Sequence, residues 1–190
     1  MKFTTKLTIS IKIIPILFLG LLLSGCFGPA IQVKKDDFTG DTHITMALIL
    51  RAENNGRNYG RVLMDFIRAI SKTSEKTNVQ FKFSTGGTRQ NLNKDNFDAK
   101  ISIDGAITDI RIQSVDSSRH VQGDEEETNT YFTIDGSLLL DSKSTTKLKT
   151  AGDVKFRFSY NGNNISISVD EKQLELIHEF FNATGEEETK

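Results

Sequence analysis

The sequence predicts a mainly β domain, an antiparallel β-sandwich or open barrel closed by a C-terminal amphipathic helix. Three observations carry this: runs in which apolar and polar residues alternate, turn dipeptides falling between those runs, and a capped helical pattern near the C-terminus. Alternation places every second side chain on one face, so such runs are strands with one buried and one wetted side.

The chain opens on something other than that domain. Lys2, Lys6 and Lys12 give a basic start, and the first acidic residue is Asp36. The apolar run Ile13–Leu23 is 11 residues long, whereas a spanning helix needs about 20. Pro15 and Gly20 interrupt it further, and the small residues Ser24 and Gly25 stand before Cys26. A basic segment, a short apolar core and small residues at the processing point make residues 1–25 a signal peptide.

The tetrad Leu23-Ser24-Gly25-Cys26 resembles the lipobox of bacterial lipoproteins. The resemblance covers only residues 1–26. It implies that the Cys26 thiol receives a diacylglycerol, that the signal is cut just before it, and that the new amino group is acylated as well. Two or more acyl chains anchor stably where one binds only marginally. Phe27, not aspartate, follows the cysteine, so the resemblance implies the outer membrane in a Gram-negative cell. The expectation is therefore an exported protein, anchored in the cell envelope through lipid on Cys26.

Removing the signal leaves 165 residues, enough for one domain with a real core. It holds 21 basic and 25 acidic residues, a net charge of −4 with histidines neutral. That balance lacks the clustered Lys and Arg of a nucleic-acid binder. It also adds no attraction to anionic lipid heads, leaving anchoring to the acyl chains. Cys26 is the only cysteine, which excludes an intramolecular disulfide. Thirteen Phe, three Tyr and no Trp favour a core-forming role over a carbohydrate-binding surface.

Residues 26–37 read as lipid anchor and tether, with Gly28-Pro29 as a breaker. The globular domain is expected over 38–182. In Thr42–Leu50, Ile44, Met46, Leu48 and Leu50 share a face. Residues 79–84, 97–104, 154–160 and 165–170 alternate in the same way. Asp104-Gly105 is a hairpin signal, Asn161–Asn164 reads as a four-residue loop, and Asp135-Gly136 as a turn or bulge. Gly60–Lys72 admits two readings. Val62, Leu63, Phe66, Ile67 and Ile70 fit one helical face, yet the segment also reads as a strand pairing with Val79–Ser84; the strand is slightly favoured. Asp170 with Gln173 forms a capping box opening a helix over Glu171–Phe181. The acidic tail 183–190 is expected to be disordered.

The search for chemistry yields little. His43, His120 and His178 have no ligand-spaced neighbours, and no metalloprotease, thiol-redox, nucleophile-elbow or phosphate-loop motif occurs. His43 reads as a surface strand residue and His178 as a half-buried helix-edge residue. Asp124–Glu127 lacks the spacing and glycine of a calcium loop and reads as solvated. Glu171, Glu175 and Glu179 read as a solubilising stripe. No catalytic residue, metal or cofactor is predicted. The expected function is a lipid-anchored binding or assembly module for an envelope protein. A module for a small molecule or cell-wall fragment comes next, and a hydrolase last.

Overall fold

The computed structural model describes residues 31–54, 57–86, 91–123 and 128–184. Cys26 and the segment expected to be a signal peptide lie outside them, as do the acidic run 124–127 and the tail beyond 184. The described strands are β1 (Gln32–Lys35), β2 (Thr42–Asn54), β3 (Arg57–Ile70), β4 (Glu75–Gly86) and β5 (Phe97–Ile103). They continue with β6 (Ala106–Asp109), β7 (Arg111–Gly123), β8 (Thr128–Leu140), β9 (Val154–Tyr160) and β10 (Asn163–Ser168). Helix α1 (Ser142–Leu148) joins β8 to β9, and α2 (Glu171–Asn182) follows β10. The strands form one antiparallel sheet in the order β6-β5-β9-β10-β2-β3-β4-β8-β7, with β1 added beside the start of β2.

The sheet curls into a half-barrel. β6 and β7 lie at its opposite edges, yet only Ile110 separates them in sequence. Ile110 donates its N–H to the Ala99 carbonyl of β5 at 2.8 Å, so the chain crosses from one edge to the other beside β5. The rings inside show the same closure. Phe81 of β4 stacks on Phe97 of β5 at 5.4 Å and meets Phe158 of β9 at 4.7 Å, across the hollow rather than along the sheet. Offset and tilted ring pairs at these separations are favourable beyond their buried area. The inner face is filled by one continuous hydrophobic cluster.

Helix α2 closes one end of the hollow. The expected capping box is present: Gln173 N donates to Asp170 Oδ1 at 2.9 Å, and Asp170 N to Gln173 Oε1 at 3.0 Å. Ile177, Phe180 and Phe181 are fully buried, and Phe66 packs edge-on against both rings. Arg68, 5% exposed, continues the inward series Val62, Met64, Phe66 of β3. Its Nη1 donates to the carbonyls of Phe180, Phe181 and Ala183 at 2.9–3.3 Å, and its Nε to Glu75 Oε1 at 2.7 Å. The last carbonyls of a helix lack internal partners and carry its negative pole, so a buried guanidinium is a suitable plug.

The fold bears out the β-rich expectation as a curled open sheet with a C-terminal helix, and several details differ. Residues 60–70 lie within strand β3, so the helical alternative falls. Leu63 and Ile67 alternate with buried Val62, Met64, Phe66 and Arg68, which counterfeits a helical stripe. Asn161-Gly162 is a two-residue turn, not a four-residue loop, with φ of 45° and 78°. Asp104-Gly105 makes the expected hairpin, φ 51° and 82°. Positive φ at both central residues is the type I′ geometry that suits twisted hairpins. Asp135-Gly136 lies inside β8 rather than at a turn, and the irregularity sits opposite, in β7 between Ile112 and Ser114. Strand β1 occupies residues that the sequence suggests as tether. Helix α1 was not foreseen; Asp141 caps it by accepting from Ser144 N at 2.6 Å.

Candidate functional site on the outer face

Curling the sheet around its apolar core turns the other face of β2, β3, β4 and β8 outward, and there the register sets side chains in rows. Ile49 of β2 lies opposite Leu63 of β3, Leu63 opposite Lys82 of β4, Lys82 opposite Asp135 of β8, and Asp135 opposite Asp116 of β7. One row thus runs from apolar through basic to acidic. Ile49 is 59% exposed and Leu63 37%. On one side of this pair, Arg51 and Arg61 face each other. On the other, Asp65 sits between Ala47 and Gln80, and the row continues through Ser137 to Ser114. The Ser114 and Ser137 hydroxyls are 2.7 Å apart.

Two open depressions flank the apolar pair. A groove of about 460 Å³ is lined by Leu63, Asp65, Gln80, Lys82, Ser114 and Asp135, among others. The second, about 670 Å³, is bordered by Ile49, Arg51, Glu53, Arg61 and the entry to α2 at Asp170 and Gln173. Its floor exists because β2 is paired by β1 at Thr42–Thr45 and by β10 at Arg51–Asn54. Between them the strand edge is covered by α2, where Gln173 Nε2 donates to the Ile49 carbonyl at 3.2 Å.

Both depressions carry charges of both signs. Burial pushes the Asp65 carboxyl above its ordinary value, because a carboxylate removed from water loses solvation. Like charges directly opposite across strands, as with Arg51 and Arg61, are destabilising. An exposed apolar pair, two facing arginines bordered by Glu53 and Asp170, and a partly desolvated carboxylate lie side by side on this surface.

The residues singled out from sequence do not assemble here. Cys26 lies outside the described residues. His43 is exposed on β2 opposite Lys34 and contributes to holding the Asp36 carboxyl low. The chief cause of that lowering is hydrogen bonds to Asp36 from the backbone N–H groups of Thr39 and Phe38. His120 stacks on Tyr131 at 5.2 Å, and both lie far along the β7–β8 hairpin. His178 is half-buried, its Nε2 2.9 Å from the Ala151 carbonyl. A carbonyl only accepts, so that nitrogen carries a proton and the contact is structural. Glu171, Glu175 and Glu179 are exposed along α2. Among the described residues, no group of three His, Cys, Asp or Glu is placed to hold a metal ion. None of their helices is long and apolar enough to cross a membrane.

The outer-face residues were not picked out from sequence, although a signal was there. Leu48-Ile49-Leu50 and Val62-Leu63-Met64 are consecutive apolar triplets inside alternating strands. The middle member of each triplet must point outward. The pairing of the two middle residues is visible only once β2 and β3 are in register. Compared with known protein families, characterised proteins and solved structures, the chain matches none.

Proposed function

We propose that this is a lipid-anchored cell-envelope protein that docks a protein partner on the outer face of its half-barrel. The observation that carries this reading is the exposed Ile49–Leu63 pair set between Arg51–Arg61 and Asp65. Interfaces concentrate their energy in a few central apolar or arginine anchors surrounded by polar groups. A partner with carboxylates facing the arginines and a cationic donor facing Asp65 would complement these groups and offset the desolvation of Asp65. Confinement by lipid on Cys26 raises the effective concentration for a partner in the same membrane. The core-filled interior is why a partner on the outside ranks ahead of a small ligand held within the sheet.

The test is site-specific photo-crosslinking in cells, with the probe at Ile49, in the intact chain and in Leu63→Glu and Cys26→Ala forms. The expected outcome is one envelope protein crosslinked in the intact chain, with the yield cut about tenfold by Leu63→Glu, the loss expected when a central anchor is replaced. Cys26→Ala is expected to shift the protein out of the membrane fraction and reduce the same crosslink. A crosslink unaffected by Leu63→Glu would sink the docking surface. Membrane recovery without Cys26 would sink the lipid anchor.

A further inference from the structure

The turn between β1 and β2 carries the most exposed large apolar side chain among the described residues. Phe38 is 100% exposed, whereas the other exposed apolar residues keep between 37% and 67% of their area in water. A phenylalanine in that position gives up its whole burial energy. Flexibility does not explain it, because the turn is tied internally. Asp36 Oδ1 accepts from the N–H of Phe38 at 2.8 Å and of Thr39 at 3.0 Å. Gly40 N donates to the Asp36 carbonyl, and Asp36 N to the Asp41 carbonyl, both at 2.8 Å. Gly40, at φ 74°, lets the chain turn back into β2. The ring is therefore presented outward on a fixed support.

Its place in the chain says what covers it. Cys26 and Ile31, where the described fold begins, are five residues apart. Such a link spans at most about 18 Å, so an acyl anchor on Cys26 holds the β1 side of the half-barrel against the bilayer surface. Strand β1 leads from there directly into the turn, with Lys34 and Lys35 exposed along it and Val33 37% exposed. Lysines beside an apolar tip suit the level of lipid phosphates, while Asp36 and Asp37 keep the backbone of the turn out of the hydrocarbon.

We propose that Phe38 is a membrane-contact residue, inserting its ring at the headgroup–acyl boundary of the bilayer that holds the anchor and so fixing the domain's orientation. The proposal rests on the lipid-anchor reading of Cys26. Because Asp36, Asp37 and Asp41 outnumber Lys34 and Lys35, the contact is apolar in origin and is strongest on zwitterionic lipid. With the β1 side and the turn at the bilayer, the distal β7–β8 hairpin is directed away from the membrane.

The chain contains no tryptophan, so Phe38→Trp installs a single reporter at a site where the fully exposed ring tolerates replacement. The lipidated full chain is reconstituted into phosphatidylcholine vesicles, with Val121→Trp on the distal hairpin as the control. The expected result is flotation of both chains with the vesicles and an acylated mass for the Cys26 peptide. Emission should shift to shorter wavelength and be quenched by lipids carrying a nitroxide near the headgroup for Phe38→Trp alone. Phe38→Ser is expected to leave vesicles about tenfold faster, as loss of one buried ring implies. An acylated, floating Phe38→Trp chain with unquenched emission overturns the proposal and leaves the anchor standing. Equal quenching at both positions, or burial seen in native membranes and not in pure lipid, overturns it too, the latter assigning the turn to a protein. An unacylated chain that fails to float removes the anchor, and the proposal with it.

Discussion

Arg68 shows how one side chain can link two elements far apart in the chain. It occupies an inward position of β3 where alternation calls for an apolar residue, and it spends its charge on the carbonyls that end α2. Glu75, across the β3–β4 hairpin, holds its other side and is half-exposed, so the pair avoids the full cost of burying two charges. Arg68→Met removes donors from three buried carbonyls. It is expected to cost about 2–4 kcal/mol by denaturant unfolding, with Arg68→Lys in between. Gly136 is a second single-residue constraint. A Cβ there would come within 2.4 Å of the Ser114 carbonyl and 2.7 Å of the Phe81 ring. The missing side chain makes room for the irregularity in β7 and for the ring that stacks on Phe97. Gly136→Ala is expected to lower stability by about 1–3 kcal/mol, the usual penalty for overpacking, read as a drop in the unfolding midpoint.

At the scale of elements, the helices are set by their caps and the strands by register. Asp141 opens α1, and the N–H of Ser144 holds its carboxyl below the ordinary value. A depressed folded pKa means stability that is present above the unfolded value and lost as pH falls through the folded one. Asp141→Ala is therefore expected to cost about 1 kcal/mol at neutral pH. That difference should shrink below about pH 4, where the unfolded carboxyl titrates, and vanish once the native one is protonated; unfolding curves across pH check it. Asp170 and Gln173 were legible as a cap because both partners lie within one turn of chain. Strand β3 was harder, since its outward Leu63 and Ile67 mimic a helical stripe and only pairing with β2 and β4 along its length decides between periods. Helix α1 carries just one buried apolar side chain, Leu148, with Ser144 and Thr145, so it left no apolar stripe to read.

For the whole molecule, curling the sheet around its rings creates an inside that stabilises and an outside free to carry function. Asp65 shows the trade. Burial raises its folded pKa, so its charge costs stability at neutral pH, and the cost is relieved as pH falls through the folded value. This is the opposite sign to Asp141. Asp65→Asn is expected to raise stability at neutral pH, to lose that advantage at acid pH, and to weaken the partner crosslink at Ile49. Stability gained with the crosslink unchanged would mean that Asp65 takes no part in docking.

The sequence by itself determined the β-rich class, most strand faces, the Asp104-Gly105 hairpin and the capped C-terminal helix. Each depends on residues within a few positions of one another, where alternation and capping act directly on the backbone. Its first 26 residues also supplied the lipoprotein resemblance on which the anchor reading depends. Only the tertiary structure decided that the sheet curls rather than splitting into a sandwich, because the contacts that curl it, Phe81 with Phe97 and Phe158, join strands distant along the sheet. It alone decided that Arg68 ends a helix more than a hundred residues away and that Ile49 meets Leu63. Such neighbours are made by register and closure, which no local pattern of residues records.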